Sequence, residues 1–309
     1  MTLCGCGAAT LSVMTTSVRS RIPAPALFVV GGLSMYVGAA LAIGLFDRLS
    51  PPVVAVLRLV GAAVVLIIWR RPGRAAWRGR RLGRAVAFGL ATALMNLAFY
   101  EAIARLHLGT AVAVEFCGPV AVAALASRRP RDVAAVVLAA GGVLLIADVR
   151  WSGSPAGVLW ALAAAAWWAA YIVLGKRVAG AGNGLDDMAV GFLVAAVLLS
   201  PVLVLGGPRG LGALADPLVL LVAVGVGVLS SVVPYVIDQV VLRRVGQARF
   251  AVLLALLPAT ATAVGLAALG QVPGLGEALG IAAVVAAVAL RSRDDDVPGP
   301  PRPNVTGIT

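Results

Sequence analysis

The sequence consists mainly of long apolar runs, separated by short breaks that carry arginine, aspartate, proline or glycine. Of its 309 residues 61% are apolar and only 12% are charged, whereas soluble domains carry about 25% charged residues. A run of about 20 apolar residues crosses the hydrocarbon core of a bilayer as one helix. We therefore predict an all-α polytopic membrane protein. The composition argues against a soluble globular enzyme and excludes a disordered chain.

Ten of the apolar runs are candidate membrane spans, and the charged and helix-breaking residues between them set their limits. We predict spans near 25–46, 53–69, 85–104, 108–127, 133–148, 155–174, 188–205, 217–241, 249–269 and 275–290. Because the number of spans is even, both ends of the chain are expected on the same side of the membrane.

The basic residues are distributed unevenly between alternate loops. With the N-terminal segment placed in the cytoplasm, 20 of the 25 Lys and Arg lie on the cytoplasmic side, four lie opposite, and Arg58 lies within a span. Cytoplasmic loops of membrane proteins are enriched in Lys and Arg. We therefore predict that both termini are cytoplasmic. These loops account for the net charge of +12, which for this reason does not indicate a nucleic acid partner.

The two halves of the sequence are weakly similar to each other at an offset of 139 residues. The offset aligns Leu90 with Leu229, Arg105 with Arg244, and Pro119 with Pro258. Five spans in each half give the two halves opposite orientations in the membrane. Inverted repeats of this kind are a transporter architecture, in which the substrate site lies near the membrane midplane where the repeats meet.

These patterns divide the chain into four parts. We predict a cytoplasmic N-terminal segment at 1–24, a first five-helix repeat at 25–148, a second at 149–291, and a cytoplasmic tail at 292–309. The tail is polar and rich in proline, which is typical of a disordered segment.

Three charged residues within the predicted spans are singled out, Glu115, Asp238 and Arg58, whereas Glu101 lies close enough to a helix end to reach water. Each costs on the order of 2.5–3.5 kcal/mol at membrane depth, so each is a candidate functional residue. One interpretation is that Glu115 or Asp238 exchanges a proton or pairs with a substrate ammonium, and that Arg58 binds a carboxylate. The alternative is a structural ion pair, or an Arg58 side chain that extends to the interface.

Polar and aromatic side chains at similar depth complete the candidate pathway. Asn96 and Tyr100 are four residues apart and therefore share one face of a helix. Tyr36 and Tyr171 lie at interior positions of their spans. We predict that these residues line the substrate or proton pathway together with the three charged ones. The alternative is that the aromatic residues serve packing or anchor the interface.

Several motifs are absent from the sequence. There is no G-x-x-x-x-G-K-[ST] string, so nothing supports direct coupling to ATP. Three cysteines and a single histidine do not form a zinc-binding spacing. No nucleophile lies close to an acid or base partner. We therefore predict no cofactor, no metal and no enzymatic activity.

Longer strings resemble a known family. Residues 96–120, NLAFYEAIARLHLGTAVAVEFCGPV, resemble the first-repeat signature of the threonine and homoserine exporter (RhtA-type) branch of the EamA transporters, in the drug/metabolite transporter superfamily. His107 stands where that signature has proline. The similarity continues in YVGAALAIGLFDRLSP, SRRPRD, WAAYIVLGKRV and PYVIDQVVLRRV, and extends from about residue 25 to 290.

The resemblance implies ten helices in two inverted five-helix EamA repeats and the export of small amino acids or related metabolites. Three acidic positions of the second-repeat pattern differ in this chain. They are occupied by Asp238, Leu257 and Gln271. If the missing carboxylates contribute to transport in the family, Glu115 has a larger share of that role here.

From these observations we predict a secondary transporter of the plasma membrane that exports threonine-like or homoserine-like amino acids, driven by proton antiport. Its partners are a small-molecule substrate, protons and the lipid bilayer, and a homodimer is left open. One alternative is an exporter of the same superfamily with another metabolite or a drug as cargo. The other is a membrane-embedded enzyme or assembly factor.

Overall fold

The computed structural model describes residues 23–126, 130–151, 154–179, 184–205, 212, 215–254 and 256–292. Our predictions for the N-terminal segment up to residue 22 and for the tail from residue 293 lie outside these residues. Every regular element in the described ranges is helical, which confirms the predicted all-α class for this part of the chain.

The structure describes thirteen α-helices. They are α1 (Ala24–Ile43), α2 (Pro51–Arg70), α3 (Gly79–Ile103), α4 (Leu108–Glu115), α5 (Cys117–Ala126), α6 (Pro130–Trp151), α7 (Pro155–Ala179), α8 (Gly184–Leu199), α9 (Pro201–Leu205), α10 (Pro217–Gly227), α11 (Val233–Leu254), α12 (Leu256–Leu269) and α13 (Leu275–Ser292). A 3-10 turn (Arg74–Trp77) precedes α3, and a π-helical turn (Val228–Val232) joins α10 to α11.

The lengths and surfaces of these helices suit a bilayer. Six described helical stretches are long and apolar enough to cross a membrane by length and composition, and four shorter apolar helices accompany them. Large apolar side chains such as Ile68, Leu144 and Leu221 are about two-thirds exposed, at 65%, 69% and 69%. Soluble monomers rarely expose extended apolar surface of this kind. The chain is therefore a polytopic membrane protein.

Two helices extend beyond their predicted limits. Helix α3 begins at Gly79, whereas the sequence predicted a span from residue 85. Helix α11 runs through 242–248, where we predicted a loop between two spans. Both segments contain arginine and leucine, which have good helix propensity, and no proline interrupts them, so the helix continues past the apolar run. The predicted loop at 242–248 is thus wrong for the described backbone.

Prolines interrupt the helical hydrogen bonds at two places. A proline has no N–H to donate to the carbonyl four residues earlier. Pro119 thereby leaves the Glu115 carbonyl without its helical donor, and the helix is broken at Phe116, between α4 and α5. Pro234 follows the π-helical turn, in which the Val233 N–H bonds to the Val228 carbonyl.

The packing of the helices is nearly unchanged when the two halves of the chain are exchanged. Helix α3 packs along α7 and α8, and its counterpart, α10 with α11, packs along α1 and α2. Helices α4 and α5 contact α7, just as α12 contacts α1. Two further large interfaces join counterparts directly, α2 with α8 and α6 with α13, whereas α4 packs on α12, the counterpart of α5.

Glycines allow the closest of these approaches. A Cβ on Gly89 would overlap the backbone of Gly191, where α3 meets α8. At the equivalent interface of α10 with α2, a Cβ on Gly227 would lie 2.6 Å from the Arg58 carbonyl oxygen, and one on Gly61 would lie 2.8 Å from the Val224 Cα. Small residues at such crossings let membrane helices pack through their backbones.

Polar contacts join the two halves at both ends of the molecule. At one end, which we call the arginine cluster, Arg70 Nε lies 3.0 Å from Asp186 Oδ1, and Arg81 Nε lies 2.6 Å from Asp187 Oδ1. These pairs connect the end of α2 and the start of α3 with the start of α8. Asp187 is 2% exposed.

The opposite end of α3 leads to a second set of contacts, which we call the glutamate cluster. The Thr110 hydroxyl donates to Glu277 Oε1 at 2.6 Å, and His107 Nδ1 lies 3.2 Å from Glu277 Oε2. The Leu108 N–H donates to Gln271 Oε1 at 2.8 Å. His107, Leu108 and Thr110 precede or begin α4, whereas Gln271 and Glu277 belong to the other half.

Candidate functional site

A cavity of about 380 Å³ lies between the halves. Helices α1 to α5, α7, α8, the π-helical turn, α11 and α12 contribute to its wall, whereas α6 and α13 do not. The structure places all seven residues predicted for the pathway along this one cavity. They are Tyr36, Arg58, Asn96, Tyr100, Glu115, Tyr171 and Asp238.

Arg58 lies in α2 and is held from two sides. Its Nη1 donates to Asn96 Oδ1, while Nη2 donates to the Ser230 carbonyl oxygen at 2.8 Å and to Ser231 Oγ at 3.1 Å. The guanidinium carbon lies 5.5 Å from the centre of the Tyr100 ring, a cation–π distance. Arg58 is 8% exposed. These contacts fix the guanidinium beside the cavity, so it does not extend to the membrane interface.

The π-helical turn supplies the backbone oxygens for this network. Because Pro234 has no N–H, the carbonyls of the turn before it lose helical donors. Side chains replace those donors: Arg58 bonds the Ser230 carbonyl, and Ser34 Oγ donates to the Leu229 carbonyl at 2.9 Å. The proline thus creates an acceptor inside an apolar helix, and the acceptor orients a cation.

Asn96 positions Arg58 from the other side. Its Nδ2 donates to the Thr92 carbonyl at 2.8 Å, which directs its oxygen to Arg58. Tyr100, one turn further along α3, is fully buried, and its ring also meets the Phe46 ring edge-on at 6.0 Å. The predicted shared face of Asn96 and Tyr100 therefore brings both residues to the same guanidinium.

Glu115 occupies the last position of α4 and lines the cavity. It is 8% exposed. Among the described residues, no ion pair within 4 Å joins Glu115 or Asp238 to Arg58. A structural ion pair of either carboxylate with Arg58 is therefore not formed in the described part of the chain. The cavity is thus bordered by a guanidinium and by carboxyl groups that do not pair with it.

Asp238 lies on α11, one turn after Pro234, and lines the cavity with Tyr235. Tyr36, on α1, lines the same cavity as Glu115 and Asp238. The two carboxyl groups thus belong to different halves of the chain but border the same space. Either can meet a cationic group of a ligand there.

Most of the remaining wall is apolar and aromatic. The rings of Phe88 and Tyr171 lie 4.7 Å apart, and the ring of Trp168 packs edge-on against Phe116 behind the wall at 4.7 Å. Apolar walls with a few placed polar groups are typical of small-molecule sites. Within the described residues, no group of His, Cys, Asp and Glu could hold a metal ion.

Several lining residues were not predicted from the sequence: Thr92, Ser230, Ser231 and Leu254. The 139-residue offset could have found some of them. It pairs Thr92 with Ser231, Met95 with Pro234, Asn96 with Tyr235, Phe99 with Asp238, and Glu115 with Leu254, and both members of every pair line the cavity. The cavity is therefore bordered by equivalent positions of the two halves.

Known proteins share this sequence pattern and fold. The sequence model of the EamA-like transporter family matches residues 155–293. The threonine/homoserine exporter RhtA of Salmonella typhimurium LT2 is 36% identical over 257 residues, which is 82% of this chain and 86% of that protein. The same exporter of Escherichia coli K12 is 34% identical over 264 residues, 84% of this chain and 88% of its own.

The chain belongs to the EamA-like transporter family. The predicted resemblance is thereby confirmed, and so is the prediction of a transporter without enzymatic activity. One crystal structure is similar in fold to this EamA transporter, with a TM-score of 0.59 and 19% identity over 88% of this chain and 98% of its own. At that identity the likeness concerns the fold alone.

Proposed function

We propose that this EamA transporter exports small amino acids, threonine-like or homoserine-like, or related metabolites across the plasma membrane in exchange for protons. Two curated relatives that carry the name of threonine/homoserine exporter match over more than four-fifths of the chain. The cavity adds the observation that carries the proposal: one guanidinium and two carboxyl groups border a single space without pairing to one another. A zwitterion needs both kinds of partner.

The proposal includes ten membrane-spanning helices, arranged as two inverted repeats at 25–148 and 149–291 with both termini in the cytoplasm. The exchange symmetry of the helix contacts and the offset pairs around the cavity support the two repeats. The uneven distribution of arginines between alternate loops supports the orientation.

Arg58 is the group that we assign to the substrate carboxylate. Asn96 accepts one hydrogen bond from Nη1, and Ser230 and Ser231 accept two from Nη2, whereas the buried Nε has no hydrogen-bond partner among the described residues. An arginine that is already oriented loses little entropy when it binds a planar carboxylate. Tyr100, whose hydroxyl also lacks a partner in the described part of the chain, lies at the same guanidinium.

Glu115 is the group that we assign to proton exchange. In the charged form it attracts the ammonium of a substrate, and in the protonated form it has no charge to offer, so proton uptake releases the substrate. Asp238 supplies a second carboxyl group, and Tyr36 and Tyr171 line the route beside it. Rocking of one repeat against the other then exposes the cavity to each side in turn.

The test uses inside-out vesicles that carry the protein, with radiolabelled threonine added to the outer medium. With an acidic interior, we expect threonine to accumulate inside, and a protonophore to abolish the accumulation. Accumulation that is unaffected by the protonophore would contradict proton antiport but not export. If threonine and homoserine do not move while another metabolite or a drug does, the cargo proposal is wrong and the alternative from the same superfamily holds.

A further inference from the structure

The arginine cluster and the glutamate cluster lie at opposite ends of α3, with the cavity between them. Each cluster joins residues of the first half to residues of the second half. Any rocking of one half against the other that opens the cavity at one end must therefore separate one cluster, while the contacts at the other end persist.

Both clusters contain a carboxylate that is almost completely removed from solvent. Glu277 and Asp187 are each 2% exposed. Glu277 is held from three directions, by the Thr110 hydroxyl, by His107, and by the Gly274 N–H at 3.1 Å from Oε2. Since a buried carboxylate loses much of its stabilisation when its partners leave, each cluster favours the closed arrangement at its own end.

We propose that Glu277 with Thr110, and Asp187 with Arg81, are the two gates of the transport cycle and open in alternation. Glu277 closes the end of the cavity at which α4 begins, and Asp187 closes the end at which α3 begins. The proposal concerns the opening of the cavity and is independent of the cargo, of the coupling ion and of which end faces the cytoplasm.

The two gates differ in the chemistry of their partners. The arginine cluster joins two Arg–Asp pairs, so its opening separates opposite charges. In the glutamate cluster the shortest contact is a neutral hydroxyl that donates to a carboxylate. Close packing accompanies the contacts of the glutamate cluster. A Cβ on Gly109 would overlap the Thr262 hydroxyl, so α4 lies directly against α12.

The test measures how fast a cysteine in the cavity reacts from each side of the membrane. The reporter is Met95→Cys, because Met95 lines the cavity, in a protein whose three native cysteines are replaced by alanine. A membrane-impermeant maleimide is applied to right-side-out and to inside-out vesicles. The labelling rate reports the fraction of time for which the cavity is open to that side.

We expect Glu277→Gln and Thr110→Val to raise the labelling rate from one side about tenfold, which corresponds to the loss of one charge-assisted hydrogen bond. Asp187→Asn and Arg81→Gln should raise it by a similar factor from the opposite side. Thr110→Val conserves shape and leaves Glu277 in place, so it remains informative if the glutamate variant does not fold.

The matched control is Arg105→Gln. It removes an ion pair with Glu101 at the same end as the glutamate cluster, but that pair lies within a single half. The labelling rate should stay within about twofold, because this pair does not join the two halves and its arginine is exposed. The proposal is overturned if variants of both clusters open the cavity to the same side. It is equally overturned if they lower the melting temperature and leave both labelling rates unchanged.

Discussion

The two halves of this transporter share one packing pattern but contribute unlike walls to the cavity. At equivalent positions the first half has Glu115 and the second half has Leu254; Phe99 corresponds to Asp238. The guanidinium of Arg58 is contributed by the first half and is anchored on the backbone of the second. The repeated helices therefore supply the frame and its approximate symmetry, whereas the charges occupy positions that break that symmetry.

The largest expected effect is the loss of proton-driven transport in Glu115→Gln. The amide keeps the size of the side chain but has no proton to exchange, so transport driven by a pH gradient should fall to the level of vesicles without the protein. Exchange of labelled for unlabelled substrate should persist, because it needs no net proton movement. Both are measured as uptake of radiolabelled threonine.

The matched control is Leu254→Gln, which places the same amide at the equivalent position of the second half. If the asymmetry of the two walls determines coupling, this variant retains proton-driven uptake. Equal losses in the two variants would show that any amide in the cavity impairs transport and that Glu115 has no special role.

The next effect concerns the packing of the helices. Substitutions at the equivalent interfaces of the two halves should lower the stability by similar amounts. Gly89→Ala and Gly227→Ala each place a methyl group against the backbone of a neighbouring helix. Overpacking of this kind costs typically about 1–3 kcal/mol. We expect similar decreases in melting temperature for the two variants in detergent. Gly225→Ala is the control, since a Cβ there would meet no atom within 4 Å; an equal decrease in this control would refute the packing argument.

A smaller effect is expected for Asp238→Asn. Asp238 is a second carboxyl group on the same cavity, so its loss weakens the attraction for a substrate ammonium while Glu115 remains. We expect a several-fold rise in the KM for threonine and retained coupling to the pH gradient. Phe99→Leu, at the equivalent position, should not alter the pH dependence of uptake. If Asp238→Asn abolishes coupling to the pH gradient, then Asp238 and not Glu115 is the group that exchanges the proton.

The smallest effect separates Ser231 from its equivalent, Thr92. Ser231→Ala removes one of the hydrogen bonds that orient Arg58, which is worth about 0.5–1.5 kcal/mol and should raise the KM by a few-fold. Thr92 Oγ1 bonds only the Phe88 carbonyl of its own helix in the described contacts, so Thr92→Val should be nearly neutral. A larger effect of Thr92→Val would contradict the assigned network.

The sequence predicted the residues of the cavity better than the ends of the helices. Charges such as Glu115 and Asp238 are too costly to face lipid, so their presence inside a span is enough to predict an interior position. Helix ends are less well determined, because arginine and alanine extend a helix beyond the membrane. This is why α11 continues through 242–248.

The polar contacts between the halves could not be predicted in this way. Glu277 and Asp187 lie near the ends of apolar runs, where carboxylates usually meet water, and no local pattern shows that another helix covers them. Ser230 was missed for a different reason: its contribution to Arg58 is a backbone carbonyl, which every residue type possesses. Such groups are identified only when the neighbouring helix is placed.

The missing amide hydrogen of Pro234 has a consequence for how this site tolerates change. The oxygen that receives Arg58 belongs to the main chain, so replacing the side chain at position 230 leaves the docking point of the guanidinium intact. A replacement of the proline itself restores a donor that competes for that oxygen. The orientation of the cation is thus encoded by a proline, through the acceptor that it leaves free.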